Sequence, residues 1–491
     1  MRKSGILLSV TSLPSKYGIG CFSKEAYQFV DWLKEAGQSF WQILPLGPTG
    51  FGDSPYQPLS TFAGNPYMID LEELIFEGLL TKGECNDFNE DIDYYNLFKK
   101  RFPLLRKAYE RSNCEEDKEY KKFVDENKEW LFDYALFMVI KSKHGNDSWL
   151  DWDEDIRIKK DDTVKYYSSQ YKDELEFWQF IQYKFYTQWK KLKSYANKKG
   201  ISIIGDIPIY MALDSSDVWS NQHLFELRKD GTPVRVAGCP PDGFSKTGQL
   251  WGNPLYRWDV HKKDNYSWWI KRIKHCFKLY DMVRIDHFRG FDEYYAIDYE
   301  AINAISGKWL KGPGIDLFNA IEEKIGKKNI IAEDLGFVTE SVKNLLEDTG
   351  FPGMKVLEFA FDERDSGDTN DYLPHNYPAN SVAYTGTHDN QTLVSWFNTI
   401  SQKERMSVRE YLCDKYTPDK EMYKSLIAHL MMSNSSLVII PMQDFLGLND
   451  KSRMNTPGTM GENWKWKLCN NELTEELKNE IFSTTKRYGR I

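Results

Sequence analysis

The chain is short of the features that mark several protein classes. Its seven cysteines, at 21, 85, 114, 239, 276, 413 and 469, form no CxxC pair and are odd in number, which argues against a disulfide framework or a zinc site and for free thiols in a reducing compartment. It has no excess of positive charge: 64 Lys and Arg face 73 Asp and Glu, a net −9, where a nucleic-acid binder shows a basic domain or stripe. Long apolar runs are missing too. Met1-Arg2-Lys3 has the charge that begins a signal peptide, but Ser9, Thr11 and Ser12 cut short the run Ile6-Leu7-Leu8. The run from Leu136 to Ile140 is too short to span a bilayer, so the expectation is a cytoplasmic protein with no membrane partner.

What is present suits a large enzyme. The 491 residues can form one elaborated barrel or two to three domains. Aromatics make up 15% of the chain, mostly core by expectation, but flat sugar faces stack on such rings, so a glycan cleft is compatible with this composition.

Three segments share one design. Val283-Arg284-Ile285-Asp286-His287-Phe288-Arg289-Gly290, Ile330-Ile331-Ala332-Glu333-Asp334-Leu335-Gly336 and Val382-Ala383-Tyr384-Thr385-Gly386-Thr387-His388-Asp389-Asn390 each read as a buried strand running into a carboxylate and a turn. Further strands are expected at Gly5 to Val10, Ser39 to Leu44, Ile201 to Pro208, Met354 to Phe361 and Ser436 to Pro441. Helices are expected after Ser23 as far as Gly37, with a stripe from Phe177 through Ile181, Phe185 and Trp189 to Ala196, and over Ile315 to Ile325.

Eight strands alternating with helices predict an α/β fold, a (β/α)₈ TIM barrel. A doubly wound sheet is the alternative, but no GxGxxG follows the first strand. One catalytic barrel is expected over 1–491, with a mainly helical subdomain inserted at 72–175. A loop and hairpin subdomain, turning at Asp230-Gly231, is expected at 210–262.

In such a barrel all strand ends of one sense open on one face, so Asp286, Glu333 and Asp389 are expected to meet around one sugar ring. Arg284 and Asp286, two apart on a strand, face the same way, and the cation favours the ionised form a nucleophile needs. Glu333 has no arginine within two residues, and neighbouring carboxylates would raise its pKa, as a general acid requires. Asp389 would clamp hydroxyls or stabilise oxocarbenium charge. The assignment is that of a two-carboxylate retaining mechanism.

Any one strand-end acid is often only a cap or an ion-pair partner; three of them, with Arg284 and His388 alongside, point to chemistry. The loop Gly47 to Tyr56 lacks the Lys-Ser/Thr of a phosphate cradle and reads as a shaped loop at the barrel mouth. Tyr56, and Trp251 in its own Gly/Pro-rich loop, are candidates for sugar contact. The third strand also ends near a carboxylate, Asp206.

These blocks, with Ser12-Leu13-Pro14-Ser15, Trp41-Gln42-Ile43-Leu44-Pro45-Leu46-Gly47-Pro48, Ser54-Pro55-Tyr56-Gln57, Gly205-Asp206-Ile207-Pro208, Trp251-Gly252-Asn253-Pro254, Arg453-Met454-Asn455-Thr456-Pro457-Gly458 and Asn463-Trp464, resemble the 4-α-glucanotransferases of the amylomaltase type, glycoside hydrolase family 77 in the α-amylase superfamily. The likeness spans nearly the whole chain. It implies that Asp286 is the nucleophile, Glu333 the acid/base and Asp389 the transition-state stabiliser, with Arg284 and His388 in the same subsite. It also implies that Tyr56, Asp206 and Trp251 lie along the glucan, and that loops around Phe244 and from Arg453 to Trp464, which includes Asn463, cover it.

The implied partners are α-1,4-glucans and maltooligosaccharides, with glucose as acceptor and no metal or organic cofactor. Monomer and homodimer both stay open. Gly243 departs from relatives that carry tyrosine there, which implies a looser lid. A plain α-glucan hydrolase shares all three acids, and products distinguish it. A non-catalytic glucan binder would be expected to lose them, and a metal-dependent barrel hydrolase would need histidines at ligand spacing that the first strand lacks.

Overall fold

In chain order the strands are β1 (Lys3–Leu7), β2 (Phe40–Gln42), β3 (Ser202–Ile207), β4 (Arg235–Cys239), β5 (Gln249–Pro254), β6 (Met282–Ile285), β7 (Glu293–Asp298), β8 (Lys308–Lys311), β9 (Ile330–Ala332), β10 (Gly353–Val356), β11 (Ser381–Tyr384) and β12 (Leu437–Pro441). They come from a computed structural model that describes residues 2–86, 88–241, 245–336, 338–362 and 370–491. Eight of them, in the order β1-β12-β11-β10-β9-β6-β3-β2, close a parallel barrel. The expected (β/α)₈ architecture is therefore present, although several strands are shorter than their apolar runs. β1 ends at Leu7 and Val10 lies in a tight turn over Val10–Ser12, and the residues after Val356 turn over Leu357–Phe359.

The period of two decides which side chains do chemistry. Ile204, Ile331, Met354, Val356, Val382 and Tyr384 fill the barrel interior. Their neighbours Ile203, Val283, Ile285, Ile330, Ala332 and Ala383 face outward, into the layer beneath the helices. Each fully buried aliphatic chain is worth about 1.5–3 kcal/mol of transfer free energy, so a one-residue slip of any strand is costly. Extending the interior line by one step beyond the hydrophobic layer reaches Asp206 on β3, Asp286 after β6 and Glu333 after β9.

The outer helices follow the expected stripes. Helix Lys24–Glu35 starts after Ser23, whose hydroxyl turns to the Glu25 carboxylate instead of capping the backbone, and Gly37 ends the segment at φ +72°. Phe177, Ile181, Phe185, Trp189, Leu192 and Ala196 of helix Lys172–Lys198 are buried as one face. Gly205 is required on β3, because a Cβ there would stand 2.3 Å from the ring of Tyr280.

Between β2 and β3 lie the helices Tyr94–Glu110, Lys118–Glu126, Lys128–Lys143 and Asp161–Gln170. The Asp230-Gly231 turn closes with an Arg228 N–H donating to the Thr232 carbonyl at 2.7 Å, but its flanks reduce to a single bridge, Leu227 to Pro233, because Pro233 has no N–H to extend the ladder. Instead β4 enters an antiparallel sheet β5-β4-β7-β8 that draws two strands from 293–311, where the sequence pattern predicts none. Among the described residues no helix is long and apolar enough to cross a membrane.

Candidate active site

The strand ends at the barrel mouth bring the acids together. Asp206 and Arg284 are register partners on β3 and β6, and the Arg284 Nη1 donates to both Asp206 oxygens at 2.8 and 2.7 Å. Its Nη2 donates to Asp286 Oδ1 at 2.8 Å. The guanidinium is thus fixed between one buried carboxylate and one that is 32% exposed. Asp206 was expected to touch sugar; it is 0% exposed, with both oxygens engaged by Arg284 and one also by Tyr56, so it can act on a ligand only through those two side chains.

Glu333 follows β9, the next strand. Its Oε2 accepts from the backbone N–H of His287 at 2.7 Å and its Oε1 from that of Leu335 at 2.7 Å. Those bonds aim the carboxyl across the residue that follows Asp286. Enclosure by the concave mouth, and then the charge of Asp286, push the Glu333 carboxyl up to about 8, against the lesser opposing pull of Arg284 and the two N–H groups. The ranking corrects the sequence expectation, which credited neighbouring carboxylates alone.

The raised value has a kinetic consequence. Glu333 keeps its proton below about pH 8 and loses it above, so a step that needs this proton slows on the alkaline side. We predict a kcat/KM profile with an alkaline limb near that value; a rate flat through pH 10 would contradict it.

Asp389 arrives from two strands beyond β9, on the turn after β11. Asn455 Nδ2 donates to its Oδ1 at 2.6 Å, Arg453 donates to its backbone carbonyl, and His388 Nε2 lies 3.4 Å from Oδ1. The His388 ring stacks on Tyr56 with centroids 4.7 Å apart and planes 12° apart, and Tyr56 Oη donates to Asp206 Oδ2 at 2.8 Å. An unbroken chain of contacts therefore runs from Asp286 through Arg284, Asp206, Tyr56 and His388 to Asp389.

Trp251 on β5 meets the His287 ring edge-to-face at 4.9 Å. Burial, the largest influence on it, lowers His287 to about 4, so that imidazole is neutral. Gln57 and Asn253 exchange amide hydrogen bonds at 3.1 and 3.2 Å, tying the Tyr56 loop to β5.

The loop from Arg453 seats Met454 and Trp464 on the interior cluster of the barrel. The Trp464 ring lies 5.9 Å from both Tyr56 and His388. Asn463 is not brought to the acids: its amide bonds to Thr456 and Thr459 within its own loop. Gly243 and Phe244 lie outside the described residues. Among the described residues no group of three or more His, Cys, Asp or Glu is arranged to hold a metal ion. The sequence reading missed Asn455 and Arg453 as holders of Asp389, though both lie in a block it had singled out.

Comparison with known proteins agrees over the full length. The profile of one family, described as 4-alpha-glucanotransferase, matches residues 8–473. The chain is 50% identical to a 4-alpha-glucanotransferase of Clostridium butyricum, with 98% of this chain and 100% of that one covered. It is 44% identical to that of Thermus thermophilus, with 97% and 96% covered. Among solved structures, an amylomaltase of Streptococcus agalactiae in complex with acarbose superimposes with a TM-score of 0.95 at 41% identity, covering 100% of each chain.

Proposed function

The chain belongs to the 4-alpha-glucanotransferase family, and from that premise we propose a retaining double displacement that moves an α-1,4-glucan segment from a donor maltooligosaccharide to the 4-hydroxyl of an acceptor glucan or glucose. The observation that carries this reading is the unequal setting of two carboxyls on adjacent strand ends. Asp286 is held by a guanidinium, whereas among the described residues no cation is bonded to Glu333, which is pushed up to about 8. One is set to attack as a carboxylate, and the other to donate a proton.

In the first displacement an Asp286 oxygen attacks the anomeric carbon while the Glu333 proton passes to the leaving glycosidic oxygen. This releases the reducing-end fragment and leaves the glucan esterified to Asp286. In the second, Glu333 takes the proton of an acceptor 4-hydroxyl, which displaces Asp286 from the other face and restores the α configuration. Asp389, fixed by Asn455 and Arg453, offers negative charge where the oxocarbenium character develops.

Transfer prevails over hydrolysis when water is kept from the ester. Trp464, laid over Tyr56 and His388 by a loop whose ends meet through a Trp464 N–H to Met454 carbonyl bond of 2.7 Å, supports that outcome. Trp251 and Tyr56 are proposed to contact sugar, with Arg284 and His388 in the subsite of the cleaved bond. Asn463 and Phe244 belong to the proposed covering loops.

The test is incubation of purified protein with maltotriose, without phosphate, nucleotide or added metal. Glucose with a ladder longer than maltotriose is expected; glucose and maltose alone would make the protein a hydrolase.

A further inference from the structure

Beneath the turn that presents Asp389 lies a carboxyl that the proposed chemistry does not use. Glu358 stands two residues beyond Val356, in the turn Leu357–Phe359 that follows β10, and is 7% exposed. It touches the 385–390 segment at three points. Its backbone N–H donates to the Thr385 carbonyl at 3.2 Å, and its Oε2 accepts from Asn390 Nδ2 at 3.1 Å. Its Oε1, which has no hydrogen-bond partner among the described residues, lies so close under Gly386 that a Cβ there would stand 2.9 Å from it.

Asn390 relays the contact. Its Oδ1 accepts from the Thr387 N–H at 2.9 Å and from the Thr387 hydroxyl at 2.8 Å, and that hydroxyl oxygen accepts from the Asp389 N–H at 3.3 Å. The groups facing Glu358 are mainly acidic: Asp444, which is bonded to the Thr385 hydroxyl at 2.5 Å and to the Leu393 N–H at 2.7 Å, and Asp450, with Arg453 as the cation.

We propose that Glu358 is a positioning residue for Asp389: through Asn390, and by packing beneath Gly386, it sets the turn on which the stabilising carboxylate is mounted. The inference rests on the double-displacement reading, which gives Asp389 its task. The surroundings of Glu358 disfavour its charged form. An ionised carboxylate with one oxygen unbonded and two acids nearby is strongly disfavoured, and burial, followed by the charge of Asp444, drives Glu358 well above the usual carboxylate range.

The experiment measures kcat and donor KM on maltotriose, with melting temperature, for Glu358→Gln, Glu358→Leu, Asn390→Ala, the Leu/Ala double variant and Asp389→Asn. The amide in Glu358→Gln still offers Asn390 an acceptor without charge, so kcat is expected within about threefold of the parent. Glu358→Leu and Asn390→Ala are each expected to lower kcat about 10- to 100-fold with KM within about twofold. Together they should lose no more than the worse single, since both break one relay.

Should the Leu variant fail to fold, which its melting temperature reports, Asn390→Ala and Glu358→Gln carry the test. Parental kcat in Asn390→Ala, a loss confined to KM, or a Gln variant about as damaged as Leu overturns the proposal. Asp389→Asn separates the two levels. If it is inactive while Asn390→Ala is parental, only this inference falls; if it is fully active, the underlying reading fails and takes the inference with it.

Discussion

Asp286→Asn is expected to lower kcat for maltotriose disproportionation by about 10⁴-fold or more, about 5 kcal/mol of transition-state stabilisation, while leaving the melting temperature within a few degrees of the parent. The size follows from the role. An amide oxygen is too weak a nucleophile to form the glycosyl ester, so both displacements are lost together. The structural effect is small because Asp286 is 32% exposed and is only one of the two carboxylates that bind Arg284; Asp206 continues to neutralise the guanidinium. Full activity in this variant, with contaminating enzyme excluded, would end the nucleophile assignment.

Glu333→Gln tests the other carboxyl and has a signature that a merely structural residue cannot give. With maltotriose, whose leaving alcohol needs a proton, kcat is expected to fall about 10²- to 10⁴-fold. With α-maltosyl fluoride the leaving group needs none, so the first displacement persists. The second then stalls, because no base takes the proton of the acceptor hydroxyl. A burst of fluoride close to one equivalent per enzyme is the expected observation, and the alkaline limb near pH 8 disappears with the residue that caused it. Equal loss on both donors would remove Glu333 from the acid/base role.

Much of this was legible in the sequence because barrel strands obey a rule that needs no structure. Apolar residues alternate between the inner and outer layers, and the next inward position past the apolar layer emerges at the mouth. That step leads from Arg284 to Asp286 and from Ile331 to Glu333. The rule stops at Val356 on β10: Glu358 falls in the turn Leu357–Phe359, so its place beneath Gly386 is not legible from strand alternation.

Other features depended on long-range partners that spacing does not reveal. Asp206 sits in a strand-end pattern like that of Asp286, yet the register of β3 against β6 places it opposite Arg284, where it is sealed off and its oxygens are taken by neighbours. Asn463 lies in a recognised block, but its amide closes its own loop. The sheet strands β7 and β8 pair with β4 and with each other outside the barrel, so their apolar stretches around Tyr295 and Trp309 have no place in the strand-helix alternation that marks the barrel strands. Asp389 was placed correctly after β11, whereas the Asn455 amide that fixes it comes from 66 residues further along the chain.

Both displacements pass through a covalent ester between Asp286 and the glucan. The most direct measurement is mass spectrometry of proteolysed Glu333→Gln protein quenched with acid after reaction with α-maltosyl fluoride. A maltosyl mass on the peptide containing Asp286, localised to that side chain by fragmentation, is the predicted result. An unmodified peptide despite fluoride release, or the sugar on another carboxylate such as Asp389, would contradict it.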